Sequence, residues 1–116
     1  MLIAVDICNT LCDVNHALEH YLGVKRILGS YLIDGLPDKF FEKNPEFFNI
    51  PAPFSFAAET LNLISSKHSI VYITARPEGS RNVTLDYLKR FDFPQAPVIF
   101  TADKAAVARK IGVDVA

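Results

Sequence analysis

Three residues stand at or just beyond the ends of short apolar runs, and their side chains form a chemically coherent set. Asp6 closes "LIAV", Thr74 ends "SIVYIT", and Lys104 follows shortly after "VIF". A carboxylate can attack phosphorus to give an aspartyl phosphate, and a hydroxyl can hold a phosphoryl oxygen. An ammonium can neutralise the charge that gathers as nucleophile and phosphate meet. Singly, each has a structural reading: Asp caps a turn, Thr satisfies backbone, Lys is solvated. Their ordered appearance at three successive strand ends favours one shared site, because ligands in open parallel sheets bind beyond the carboxyl ends of the strands.

Secondary candidates surround this set. Arg76 follows Thr74 closely and is a candidate phosphate or substrate contact, with Pro77 biasing its backbone toward extended geometry. The competing reading is a solvated arginine or one paired with Glu78. Asn9 and Asn15 are candidates for phosphate binding or for capping the next turn, and capping is favoured. Cys8 and Cys12 are too few to suggest a disulfide scaffold, and no second Cys or Cys/His pair follows at zinc-ligand spacing. His16 and His20 are four apart but lack a third ligand, so surface or packing roles are expected.

The elements that must position these groups alternate. Strands are expected at Leu2–Val5, Ser69–Thr74 and Val98–Phe100, and their unbroken apolar character suggests cover on both faces, as in a parallel sheet. Helices are expected over Ser55–Lys67 with a serine at its start, over Ser80–Phe91, and over Asp103–Ile111 with Gly112 ending it. Residues 11–53 read as a small helical, cap-like insertion: "DVNHALEHYLG" suits a helix, Gly29, Gly35 and Pro37 break the chain, and a proline-punctuated aromatic stretch follows. Phe40, Phe41, Phe47 and Phe48 are expected to pack there, with lining of a substrate pocket as the alternative. The expected architecture is one domain over residues 1–116, a three-layer α/β fold with a short parallel sheet.

Composition narrows the partners. Of 116 residues 50% are hydrophobic and 22% charged, which suits a globular core rather than disorder. The formal net charge of −1 leaves no broad basic footprint for a nucleic acid polymer. No apolar run is long enough for a membrane span, and a cytoplasmic location is the simplest expectation.

With these residues in view, the sequence resembles the haloacid dehalogenase superfamily of phosphohydrolases, and more closely its 5'(3')-deoxyribonucleotidase-like branch. "LIAVDICNTL" is similar to the first family motif, an apolar strand followed by Asp-x-Asp-x-Thr or Val, with Asp6 in the nucleophile position and Thr10 in the closing position. "IVYITARP" resembles the second motif at Thr74, and "IFTADKAAVARKIGVDV" the third at Lys104. The resemblance implies a Mg²⁺-dependent phosphomonoesterase acting on a phosphorylated small molecule such as a nucleotide. It implies Asp6, Cys8, Thr74 and Lys104 as the catalytic set, and Asn9, Thr10 and Arg76 as substrate contacts. Asp6 and the main-chain carbonyl of Cys8 are the implied metal ligands.

Two departures from the family pattern change the expectation. The family's second Asp, its general acid and base, is Cys8 here, and loss of such a group commonly removes about 10²- to 10⁴-fold in rate. The family's acidic fourth motif, expected beyond "IGVDV", is not reached before Ala116, and Asp114 is too early in the expected strand to replace it. Turnover is therefore expected to be weak or lost, leaving a binding or assembly module as the alternative. Without a further neighbour, Leu2–Asp6 would be an apolar sheet edge open to self-association. The alternative is a short stub at Val113–Ala116 covering that edge.

Overall fold

Three β-branched or aromatic runs form a parallel sheet in the computed structural model, which describes residues 1–23, 25–26, 33–34, 36–37 and 39–116. Strand β1 (Leu2–Val5) and helix α1 (Val14–Leu22) are followed by a two-residue antiparallel pair, β2 (Lys25–Arg26) and β3 (Ile33–Asp34). Then come α2 (Phe40–Lys43), a 3-10 turn at Pro45–Asn49 and α3 (Ala57–Ser65). Strand β4 (Ser69–Thr74), a 3-10 turn at Glu78–Ser80, α4 (Arg81–Arg90), β5 (Val98–Phe100) and α5 (Lys104–Ile111) complete the order. The protein is thus a mixed α/β chain built on a small parallel sheet. Among the described residues no helix is long and apolar enough to cross a membrane.

The sheet order is β1-β4-β5, with Val5 opposite Tyr72 and Thr74 opposite Phe100. Because side chains alternate along a strand, Ile70 and Tyr72 join Leu61, Tyr87 and Leu88 in the core, while Ile73 borders a groove with Ala105 and Ala108 of α5. Every β4 residue from Ile70 to Thr74 is buried, so this strand is covered on both faces. That expectation does not extend to β1 and β5, which are only half-buried. The reason is position: they flank β4, with β5 last in the sheet order and β1 backed on its outer side only by a short C-terminal bridge.

The outer side of β1 is not bare. Val115 pairs with Ile3 in parallel, the Ala4 amide donates to the Val115 carbonyl at 2.8 Å, and the Asp114 amide donates to the Leu2 carbonyl at 2.8 Å. This corrects the open-edge expectation in favour of the stub. The Asp114 carboxylate accepts from the Leu2 amide at 2.8 Å, at the end of β1 away from Asp6. It therefore does not join the candidate site.

Local signals account for the ends of α1 and α5. The Asp13 carboxylate caps α1 by accepting from His16 N at 3.0 Å, and the Asp103 carboxylate caps α5 by accepting from Ala106 N at 3.1 Å. Gly112, at φ 77°, closes α5 in the left-handed conformation that glycine adopts without strain. Helix α3 departs from expectation: Ser55 does not cap it, and Phe56 precedes it at φ 66° with no side-chain cap.

Residues 11–53 are more varied than a purely helical insertion, since β2 and β3 interrupt the helices. The two ends of this segment are tied together: Asp13 N donates to the Ala52 carbonyl at 3.0 Å and Phe54 N to the Leu11 carbonyl at 2.9 Å. Gly29 and Gly35 lie outside the described residues. Phe40, Phe41, Phe47 and Phe48 pack as a ring cluster, with Phe41 stacked on Phe48 at 4.8 Å between centroids.

Candidate functional site

Parallel pairing brings the ends of β1 and β4 side by side and delivers Asp6 and Thr74 to the same sheet edge. Four residues past β5, the Asp103 cap starts α5 and holds Lys104 at its first position. The Lys104 ammonium donates to Asp6 Oδ1 at 2.8 Å, and the Ile7 amide donates to the same oxygen at 2.8 Å. Asp6 Oδ2 has no partner among the described residues. One carboxylate oxygen is thus anchored and the other is left for chemistry. Both side chains of this ion pair are 40% exposed, so the contact orients more than it stabilises.

Asp6, Thr74 and Lys104 line one pocket of about 330 Å³ together with Cys8, Asn9 and Arg76. Thr74 is buried, and its hydroxyl oxygen accepts from the Arg76 amide at 3.1 Å, which shapes the turn after β4. Asn9, at φ 60°, accepts from the Asn15 amide at 3.0 Å and donates to the Asn15 side-chain oxygen at 3.2 Å. The capping role is therefore real, and both asparagines still border the pocket. Thr10 is not brought in: it is exposed in the following turn and borders a neighbouring groove with Phe54 and Phe56.

Arg76 is neither solvated nor paired with Glu78. It is 4% exposed, and Glu78 instead binds Arg81 at 2.6 Å. The Arg76 guanidinium lies over the Phe48 ring at 4.0 Å, and its Nη1 donates to Thr84 Oγ1 at 3.0 Å. Its other contacts are sulfur: Nε to Cys8 Sγ at 3.1 Å and Nη2 to Cys12 Sγ at 3.7 Å. Among the described residues no carboxylate neutralises it. A thiol is a weak acceptor, and a buried cation without an anion carries a desolvation penalty of about several kcal/mol. The stack on Phe48 offsets part of that cost.

Neither cysteine is in a disulfide. Burial pushes the Cys12 thiol up to about 11, with Arg76 pulling against the rise and Cys8 adding to it. Burial likewise raises Tyr72 and Tyr87 above the ordinary phenol range, and the buried Tyr87 hydroxyl donates to the Pro51 carbonyl at 2.6 Å. His16 and His20 stack at 6.1 Å, and among the described residues no three His, Cys, Asp or Glu side chains gather as a metal-binding group.

Phe41 and Phe48 line the pocket, the alternative expected for the aromatic stretch, and Val14, Leu18 and Leu36, which the sequence did not single out, add to its apolar lining. Thr84, fully buried against Arg76, has a readable sign: it is a polar residue on the same helical stripe as the buried Tyr87 and Leu88. Cys12 carried no such sign.

The fold and pocket define a mixed α/β protein with an anionic and two cationic side chains converging at the carboxyl edge of a parallel sheet. The chain matches no protein-family model and no curated protein.

Proposed function

We propose that this protein is a haloacid dehalogenase-like, Mg²⁺-dependent phosphomonoesterase of nucleotidase type with impaired turnover. The observation that carries the reading is the anchoring of Asp6: Lys104 and the Ile7 amide hold Oδ1, leaving Oδ2 without a partner among the described residues in a pocket that Lys104 and Arg76 also line. In this reading Oδ2 attacks the phosphorus of a phosphate monoester, forming an aspartyl phosphate and expelling the alcohol, and water then hydrolyses the acyl phosphate. Lys104 screens carboxylate and phosphate from each other, and the Thr74 hydroxyl donates to a phosphoryl oxygen. Arg76 supplies the second positive charge.

The donor set suits Mg²⁺ in kind, since Asp6 Oδ2 and the Cys8 main-chain carbonyl are hard oxygens and Mg²⁺ needs few protein ligands beside phosphate and water. When bound, the ion would neutralise phosphate charge. The apolar wall of Phe41, Phe48 and Leu36 suits a substrate with a flat or hydrophobic leaving group, such as a nucleoside.

Impairment follows from Cys8. A thiol already bonded by Arg76 at 3.1 Å is a poor stand-in for the carboxylic acid that protonates a leaving alkoxide. The same observation supports a second reading, a binding or assembly module that holds a phosphate-bearing ligand without turnover.

The deciding experiment measures phosphate release from a panel of nucleoside monophosphates and an aryl phosphate with Mg²⁺. Wild type is expected to exceed Asp6→Asn on at least one substrate. Equal rates for the two would overturn the enzymatic reading.

A further inference from the structure

Two thiols contact one guanidinium, of which Cys8 and Arg76 line the pocket and Cys12 does not, and the proposed phosphoryl chemistry does not need the second thiol. Cys8 and Cys12 face each other as a bridge pair within the loop that joins β1 to α1, and the Asn9 amide donates to the Cys12 carbonyl at 2.9 Å. Bridge partners have Cα atoms about 5 Å apart, inside the span of about 4.4–6.8 Å that a disulfide requires. The side chains also converge, because both sulfurs contact the guanidinium of Arg76, one through Nε at 3.1 Å and the other through Nη2 at 3.7 Å.

Their exposures differ in the way a reactive and a resolving thiol differ. Cys8 is partly exposed and lines the pocket, where a small oxidant can reach it. Cys12 is 0% exposed, behind Cys8 and shielded from bulk reagent. From this geometry we infer that Cys8 and Cys12 are a redox-responsive pair, closed by hydrogen peroxide or a related hydroperoxide into an intramolecular disulfide at the pocket wall.

The chemistry balances. The Cys8 sulfur attacks one peroxide oxygen, the O–O bond breaks, and a sulfenic acid and one water form. The Cys12 sulfur then displaces the hydroxyl from the Cys8 sulfur, forming the S–S bond and a second water. The two thiols together lose two electrons and two protons, and the peroxide gains them.

Closure also alters the pocket. Drawing the sulfurs to bonding distance, about 2.05 Å, pulls Cys8 Sγ from its contact with Arg76 Nε. The buried cation is then held by Thr84 and Phe48, with its Nε donor released. The reduced and oxidised forms thus offer an anion different donors, whether or not the site turns over a phosphate ester.

Intact-mass measurement of the full chain, before and after a brief hydrogen peroxide treatment, tests the inference without any activity assay. Wild type is expected to lose the mass of two hydrogen atoms and both of the thiols that a reagent titrates after denaturation, and to regain them with dithiothreitol. Because the first Lys or Arg is Lys25, both cysteines fall in one tryptic peptide, which should resist alkylation until reduced. Cys8→Ser and Cys12→Ser should each abolish the two-hydrogen loss, and in Cys12→Ser the peroxide should add oxygen to Cys8. Should Cys12→Ser fail to fold, the wild-type peptide carries the test alone. Oxygen adducts on wild-type Cys8 without hydrogen loss, or a disulfide-linked dimer in place of the internal bond, would overturn it.

Discussion

Lys104 and Asp6, separated by 98 positions in the chain, meet through an Nζ–Oδ1 contact of 2.8 Å. Two local devices set this meeting: the end of β1 at Val5 and the Asp103 cap that begins α5. The sheet brings them together. With both partners 40% exposed, solvent screens the pair, and its contribution to folding is about 1 kcal/mol or less. Under the proposed function its value to a phosphate group arriving between the two would be greater, because the ammonium is already in place.

Lys104→Met should therefore separate folding from chemistry. Urea unfolding is expected to change by about 1 kcal/mol or less, while phosphate release falls by about 10²-fold or more. A large loss of stability with unchanged turnover would assign Lys104 a structural role instead.

Arg76→Met removes the buried charge but keeps a long apolar stem against Phe48. Since among the described residues the guanidinium has no carboxylate to strand and the thiols are weak acceptors, stability should stay within about 1 kcal/mol of wild type. What should disappear is any rise in Tm produced by inorganic phosphate, because the buried cation that would receive the anion is gone. A phosphate-dependent rise that survives Arg76→Met would remove Arg76 from the anion site.

Cys8→Asp places a carboxylate where a sulfur now sits 3.1 Å from Arg76 Nε. The new ion pair should raise Tm. Phosphate release should rise as well, toward the lower end of the 10²- to 10⁴-fold range of general acids, since a neighbouring guanidinium holds the carboxylate ionised. A higher Tm with no gain in rate would mean that Arg76 sequesters the introduced acid.

Alkaline pH should destabilise the fold through Cys12. Its thiol, ordinarily near 9.0, is raised to about 11 by burial. Below pH 9 the folded and unfolded chains both keep this proton. Between 9 and 11 the unfolded chain releases it while the folded chain holds it, so stability falls as pH rises through that window. Two pH units correspond to a loss on the order of 3 kcal/mol. Urea midpoints from pH 8 to 10 should decline in wild type and decline less in Cys12→Ala. Buried Tyr72 and Tyr87 add to the loss above pH 10 in both proteins.

Much of this architecture was legible along the chain. The three strands occupy the apolar runs that announced them, and α5 begins and ends at Asp103 and Gly112. Asp6, Thr74 and Lys104 converge because each sits at a strand end or the cap beyond it, and a parallel sheet collects such ends at one edge. These are local facts, carried by side-chain periodicity and capping chemistry within a few residues.

Other features were decided only by the folded chain. Arg76 could have been solvated or paired with Glu78. Its burial among Cys8, Cys12, Thr84 and Phe48 joins four separate stretches of sequence. The cover on β1 by Val115, the confinement of full burial to β4 and the exposure of Thr10 likewise depend on which elements become neighbours. Apolar periodicity along the chain sets which groups stand at the ends of its strands. Tertiary structure decided which of them a buried guanidinium would meet, because burial and pairing arise from contacts between segments distant along the chain.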